Sequence, residues 1–107
     1  MYSLMIENTL RPGKNTEFLN LWQREILPLL KKQPGFVEAA LLSGLADHRL
    51  LIGISFWRSE ADAQRYYTEV FPGIAGSVSH YFEFSPMVRT FAVEASEALR
   101  VASNRAA

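Results

Sequence analysis

The chain opens with an alternation of apolar and polar positions, which is the period of a β-strand. Over residues 2–10 every second side chain faces the same side, and that side is apolar except for one amide. Its members are Tyr2, Leu4, Ile6, Asn8 and Leu10. The Pro-Gly pair at residues 12–13 has the chemistry of a turn. The pattern therefore predicts a first strand whose apolar face carries Asn8.

A helical period replaces the alternation after this turn. Apolar residues recur every three or four positions over residues 16–32, which predicts an amphipathic helix. They are Phe18, Leu21, Trp22, Ile26, Leu29 and Leu30. Asn15 or Thr16 is expected to cap the start of this helix. Pro28 lies inside the helical pattern, and we expect a kink or a break there because proline lacks the N–H and crowds the preceding turn.

Two apolar segments separated by a short polar turn predict a β-hairpin. They span residues 36–45 and 50–57, and the turn "ADHR" occupies residues 46–49, so the two strands should be antiparallel. The alternation is expected to place Phe36, Ala40 and Leu42 on one side of the second strand. In the third strand it places Leu50, Ile52, Ile54 and Phe56 on one side, and Leu51 and Trp57 on the other.

The strongest helical period in the chain follows the hairpin. Ser59 and Asp62 have the spacing of a capping box and predict the start of a second helix. Its apolar stripe consists of Ala63, Tyr66, Tyr67, Val70, Phe71 and Ile74. Pro72-Gly73 is expected to bend or interrupt it. A last strand is predicted within residues 80–95, with Pro86 indicating a bulge or an edge position.

The predicted order is β-α-β-β-α-β, the split βαβ arrangement of an α+β, ferredoxin-like fold. In such a fold two helices cover one face of a four-stranded antiparallel sheet. The opposite face is also apolar here, and an apolar sheet face of this size indicates a protein interaction surface. The simplest cover is a second copy of the chain, so we expect a homodimer through the sheet face, against the alternative of a solvated sheet with scattered apolar residues.

Composition narrows the class of protein. A chain of 107 residues that is 49% hydrophobic predicts one domain over residues 1–95, followed by a small, polar segment at 96–107 that is either a tail or a dimer arm. Eleven basic residues balance eleven acidic ones, so no basic surplus points to nucleic acid. There is no cysteine, no apolar run of transmembrane length and no secretory leader pattern, and we expect a cytoplasmic protein without a membrane partner.

Several segments resemble the antibiotic biosynthesis monooxygenase family. They are the "RPGK" turn after the first strand, the "QPGF" entry to the second strand and the "ISFWRSEADAQRYY" passage from the third strand into the second helix. The resemblance covers roughly residues 2–93. It implies a ferredoxin-like fold, a dimeric α+β barrel and a pocket between helices and sheet in each subunit. The family includes quinol-oxidising monooxygenases and haem-degrading enzymes.

Three residues are candidates for catalysis. Asn8 either orients a substrate oxygen, as the resemblance implies from an asparagine in a similar "EN" context, or only pairs with the backbone of the turn. Tyr66 lies on the inward stripe, where a phenol either binds a ligand or simply packs. His80 precedes the last strand and could act as an acid or base near neutral pH. The haem-binding histidine of the relatives would fall at Ala75 or Gly76, which makes haem ligation doubtful.

Four further residues are candidates for binding a substrate: Tyr67, Trp22, Phe71 and Arg89. For the aromatic residues, ordinary core packing is the alternative. Arg89 lies within an apolar strand and could hold a substrate anion or pair with an acid across a dimer. No metal-ligand spacing and no phosphate-binding glycine motif is present, so neither a metal nor an organic cofactor is predicted.

The sequence thus favours a cofactor-independent monooxygenase that oxidises a quinol-like or polycyclic aromatic small molecule with O2. The alternative is a non-catalytic dimeric module that binds a small apolar or aromatic molecule. Haem degradation is a third and weaker hypothesis. An electron-rich substrate can itself supply the electrons for oxygen, so a dry pocket with a few polar groups would suffice.

Overall fold

Four antiparallel strands form one sheet in the order β2-β3-β1-β4 in the computed structural model, which describes residues 1–97. The strands are β1 (Tyr2–Thr9), β2 (Phe36–Ser43), β3 (Leu50–Trp57) and β4 (Met87–Ala92). This confirms the predicted α+β, ferredoxin-like order, and β4 is an edge strand, as Pro86 indicated. Leu10 continues the first strand only as an isolated bridge to Phe82.

Each helical segment is two α-helices joined by a π-helical turn. The first consists of α1 (Asn15–Leu21), a π turn (Trp22–Ile26) and α2 (Leu27–Lys31). The second consists of α3 (Glu60–Arg65), a π turn (Tyr66–Val70) and α4 (Phe71–Val78). A short 3-10 turn (Ser79–Tyr81) follows.

The π turns explain how two prolines are accommodated in these segments. The N–H of Leu27 bonds to the carbonyl of Trp22, and the N–H of Phe71 bonds to that of Tyr66, five residues back in both cases. A proline comes next at both places, and it would clash with the carbonyl four residues before it in a regular α-helix. The expected kinks are therefore widened turns, and the apolar stripes stay on the sheet.

The predicted helix caps have different outcomes. Ser59 caps α3, since its hydroxyl accepts a hydrogen bond from the N–H of Asp62 at 3.1 Å. The start of α1 carries no side-chain cap: Lys14 occupies the capping position, and the Asn15 amide instead donates to the carbonyl of His48. Asn15 thereby links α1 to the turn between β2 and β3.

Two groups of buried side chains lie between the sheet and the helical segments. One surrounds Trp57, which has no exposed surface, and the other surrounds Leu10, which is equally inaccessible. A β-bulge between Phe36 and Glu38 corrects the predicted facing of Phe36. It turns this ring onto the helix-covered face, where it packs edge-on against Trp57 with ring centroids 5.7 Å apart.

The opposite face of the sheet is apolar and has no cover within the described chain. Register places Met5 beside Ile54 at its centre, with Leu42, Met87 and Phe91 towards its edges. Leu42, Met87 and Phe91 are 45–51% exposed. The predicted tail or dimer arm at 96–107 lies almost wholly outside the described residues. Within residues 1–97, no helix combines the length and hydropathy needed to cross a bilayer.

Candidate functional site

A cavity of about 390 Å³ lies between the sheet and both helical segments. Its walls are mostly apolar and come from β1, β2, β3, both helical segments and the segment 82–86 that leads into β4. The apolar walls include Ile6, Leu41, Leu51, Ile26, Ile74 and Val78. The volume is in the range of small-molecule sites.

Gly53 lies at the middle of the sheet wall. Among the described residues, a Cβ placed here would come within 4 Å only of the carbonyl oxygen of Ile6, at 4.0 Å. The absent side chain therefore leaves open space in the cavity. Any larger residue here would project into that space.

Asn8 faces the cavity with its amide held by the backbone. Its Oδ1 accepts a hydrogen bond from the N–H of Thr9 at 2.7 Å, and its Nδ2 donates to the carbonyl of Phe84 at 2.8 Å. The amide is thus paired with the backbone, while the space beside it is not filled, and a role of Asn8 in orienting a substrate oxygen stays a prediction. One N–H of the side chain remains, so Asn8 can offer a donor to a ligand.

Tyr66 brings a neutral phenol to the cavity wall. Only 4% of this residue is exposed, and its ring stacks on Trp57 with centroids 4.8 Å apart. Burial raises the pKa of Tyr66 to about 12 because the charged phenolate would lose its hydration. Within residues 1–97 no hydrogen bond of its hydroxyl is found, so this donor is free for a ligand.

Ser55 also lines the cavity, and the sequence reasoning did not single it out. It is 6% exposed, and its hydroxyl oxygen accepts a hydrogen bond from the indole N–H of Trp57 at 2.9 Å. The serine keeps its own proton to donate. The available signal was positional: Ser55 shares the alternation of Leu51 and Trp57, the same argument that drew attention to Asn8.

The other predicted site residues divide into two groups. Trp22 and Phe71 line the cavity. Tyr67, His80 and Arg89 do not. Tyr67 stacks on the outer side of Phe71, with centroids 5.7 Å apart.

His80 and Arg89 lie away from the cavity for reasons of backbone geometry. His80 is in the 3-10 turn, where it is exposed and its ring packs against Tyr81 at 4.3 Å. Arg89 pairs with Met5 of β1, so the alternation of side chains turns it away from the helices. It lies beside Met5 on the uncovered face of the sheet, which we call the open face. Its guanidinium there approaches the sulfur of Met87 at 3.0 Å.

Charge is nearly absent from the cavity wall. Among the described residues that line the cavity, Glu83 is the one ionisable acid or base besides Tyr66, and its carboxylate oxygen lies 2.9 Å from the guanidinium of Arg49. The same ion pair ties segment 82–86 to the turn between β2 and β3. Among residues 1–97, no three histidine, aspartate or glutamate side chains are grouped as a metal site would need. The cavity thus offers neutral hydrogen-bond donors within apolar walls.

Comparison with known proteins agrees with this architecture. The sequence profile of the family described as antibiotic biosynthesis monooxygenase matches residues 1–68. SnoaB, a cofactor-independent oxygenase from Streptomyces nogalater, is 18% identical, with a TM-score of 0.73 over 90% of this chain and 95% of SnoaB. A search of curated protein sequences returned no significant match.

Two further solved structures share the fold. A monooxygenase from the gene ActVA-Orf6 of Streptomyces coelicolor, determined with the ligand Nanaomycin D, is 12% identical, with a TM-score of 0.75 over 89% of this chain and 88% of that protein. A conserved protein from Methanosarcina mazei Go1 is 21% identical, with a TM-score of 0.69 over 84% of this chain and 89% of that protein. At such identities the likeness supports the fold alone.

Proposed function

The chain belongs to the antibiotic biosynthesis monooxygenase family, and from this premise we propose that it is a cofactor-independent monooxygenase acting on a quinol-like or polycyclic aromatic molecule. The observation that supports this most directly is the cavity of about 390 Å³ with apolar walls and few polar groups. A flat aromatic ligand suits such walls, while fixed donors can orient its oxygen atoms. Neighbours of the same fold include a cofactor-independent oxygenase and a monooxygenase with a bound small molecule.

The reaction needs no electron source besides the substrate. A ring CH2 group, the keto form of a phenol, loses a proton to give an electron-rich anion that reduces O2. One oxygen atom becomes the new carbonyl oxygen and the other leaves as water with the two hydrogens of the CH2 group. The carbon gives up four electrons and O2 accepts four, so the step balances.

The protein's part is to bind the substrate, exclude water and favour the anion. Asn8 donates its remaining N–H to an oxygen that gains negative charge, and Tyr66 donates its hydroxyl to another. Trp22 and Phe71, which line the cavity, provide aromatic surfaces for the rings of the substrate. Because the pKa of Tyr66 is raised to about 12, its proton stays in place near neutral pH. Glu83, paired with Arg49, is the carboxylate among the described lining residues, and it is our candidate to accept the proton of the CH2 group.

Oxygen consumption tests this proposal. Wild-type protein is mixed with a panel of naphthohydroquinones and anthrones, and uptake of O2 is compared with that of Asn8→Ala and Tyr66→Phe. We expect turnover by the wild type and a loss of about ten- to a hundredfold in each variant, since each removes a donor to the developing anion. Tyr67→Phe is the matched control and should retain activity. No uptake with any compound would contradict the proposal.

A non-catalytic binding module is the second candidate, and the capped amide of Asn8 favours it. An asparagine already held by Thr9 and Phe84 can serve to shape a pocket without chemistry. This function predicts a rise in melting temperature with the same compounds and no O2 uptake. Haem degradation has less support, because the cavity lining contains no histidine among the described residues.

We also propose that the open face of the sheet pairs with a second copy. A two-fold axis along the strands would place β2 of one copy over β4 of the other. Glu38 on β2 and Arg89 on β4 are exposed on this face at opposite edges, so the charges of two copies would be complementary. Leu42, Met87 and Phe91 would then leave water.

A further inference from the structure

The sheet wall of the cavity has two polar positions among the described residues, Asn8 and Ser55, and they are well separated along the strands. Asn8 is opposite Leu51, and Ser55 lies four residues further on in the same strand, opposite Leu4. At the rise of a β-strand this separation is about 13 Å. Apolar wall and the side-chain-free position at Gly53 lie between the two.

The two polar positions differ in their access to solvent. Asn8 adjoins the segment 82–86, in which Phe84 is 67% exposed. Ser55 and Tyr66 are 6% and 4% exposed, and both contact Trp57, which is fully buried. Asn8 therefore marks an outer end of the cavity, and the serine with the tyrosine marks an inner end.

At the inner end both hydroxyls have an unused proton. The Ser55 oxygen accepts a hydrogen bond from the indole of Trp57, which leaves the serine's own hydrogen free to be donated to a ligand. No hydrogen bond of the Tyr66 hydroxyl is found within the described chain. No side-chain nitrogen or oxygen atom of the described residues is both buried and unpaired, so the Tyr66 hydroxyl is open to the cavity, where a ligand atom can accept its proton.

We propose that Ser55 and Tyr66 form an inner subsite for an acceptor oxygen at the far end of an elongated, flat ligand whose near end meets Asn8. The inference rests on the proposed function for the polycyclic character of the ligand. It adds that the ligand carries oxygen atoms at both ends of its long axis. It also assigns Ser55 a binding role.

The test measures binding without turnover. Titration calorimetry compares a linear three-ring anthraquinone bearing one hydroxyl at each end with the analogue bearing a hydroxyl at one end only. Wild-type protein should bind the first compound about fivefold or more tightly, the effect of one additional hydrogen bond. Tyr66→Phe and Ser55→Ala should each reduce that preference to about twofold or less, the statistical advantage of two equivalent ends.

Two controls keep the result interpretable. Tyr67→Phe and Ser77→Ala remove the same groups outside the cavity lining and should keep the wild-type preference. Ser55→Ala leaves the buried indole N–H of Trp57 unpaired and could fail to fold, in which case Tyr66→Phe decides alone. No preference in the wild type, no saturable binding of the two-ended compound, or a preference that survives in Tyr66→Phe would overturn the subsite.

The measurement also separates this inference from the proposed function. Both compounds are already oxidised, so their affinities do not depend on any reaction with O2. A preserved preference without O2 uptake on reduced substrates would leave the inner subsite standing and remove the monooxygenase. O2 uptake without the preference would support the monooxygenase and remove the inner subsite.

Discussion

Both faces of the sheet carry apolar side chains, but the two faces differ in what covers them. Phe56 and Trp57 are neighbours on β3, and alternation sends them to opposite sides. Trp57 is fully buried beneath the helical segments, whereas Phe56 remains partly exposed. The covered face is nevertheless not filled, since it encloses the cavity. Apolar pattern thus sets which residues leave water, but the position of the covering elements decides whether packing or a binding site results.

The largest expected effect distinguishes the two faces directly. Trp57→Ala should lower the free energy of unfolding by about 3–5 kcal/mol, because it removes a fully packed ring and leaves a cavity. Phe56→Ala should cost about 1 kcal/mol in dilute protein, where no partner covers that face. Urea unfolding monitored by circular dichroism measures both. Equal losses would show that the faces do not differ in packing.

A charge at the centre of the open face tests its proposed cover. Ile54→Glu should convert a dimer to monomers, because two-fold symmetry places like charges near each other at a cost of several kcal/mol. Leu45→Glu, at a residue 94% exposed in the turn after β2, should leave the dimer intact. Sedimentation velocity gives the masses. A monomeric wild type, or a dimeric Ile54→Glu, would contradict the proposed interface.

Alkaline pH sharpens the description of the covered face. The pKa of Tyr66 is about 12 in the folded protein and near 10.0 when unfolded, so between these values only the unfolded chain loses the proton. Stability from this residue is complete below about pH 10 and falls above it by up to about 2–3 kcal/mol. Urea midpoints across this range should therefore decline less steeply in Tyr66→Phe than in wild type. The same slope in both proteins would mean that the hydroxyl is solvated.

The smallest expected effect concerns the empty part of the covered face. Gly53→Val should place methyl groups in the cavity and weaken binding of the two-ended anthraquinone by about tenfold, while stability is unchanged or rises by about 0.5–1 kcal/mol. Ile52→Val, on the open face of the same strand, is the control and should bind normally. Unaltered affinity in Gly53→Val would place the ligand elsewhere.

Much of the fold could be predicted from local pattern. The order of strands and helices follows from the change between periods of 2 and 3.6 residues. The spacing of Ser59 and Asp62 predicts the start of α3, where the Ser59 hydroxyl accepts a hydrogen bond from the N–H of Asp62. The bulge at residues 36–38 was not visible, because one extra residue in β2 is a matter of pairing with β3. The prolines were visible, but a kink, a break and a π turn are equally consistent with a missing N–H.

The candidate site was less predictable because it depends on contacts between distant residues. The alternation of β1 alone singles out Asn8. Whether its amide is paired depends on a hydrogen bond to the carbonyl of Phe84, which lies far along the chain. The alternation of side chains in β4 does not show which face carries Arg89 unless the register of β4 with β1 is known. The inner position of Ser55 likewise follows from its bond to Trp57.

The π turns before Pro28 and Pro72 have a consequence for how the sequence can change. Each inserts one residue more than a regular helix would hold, so removing a single residue from either turn would restore ordinary helical spacing. The side chains beyond the deletion would keep their directions around the axis, because the widened turn had absorbed the extra residue. In the second segment, deleting Glu69 would leave Phe71 and Ile74 facing the sheet but would press the ring of Pro72 against the carbonyl four residues before it. The widened turns therefore make room for a proline within each segment, and shortening either one would remove that room.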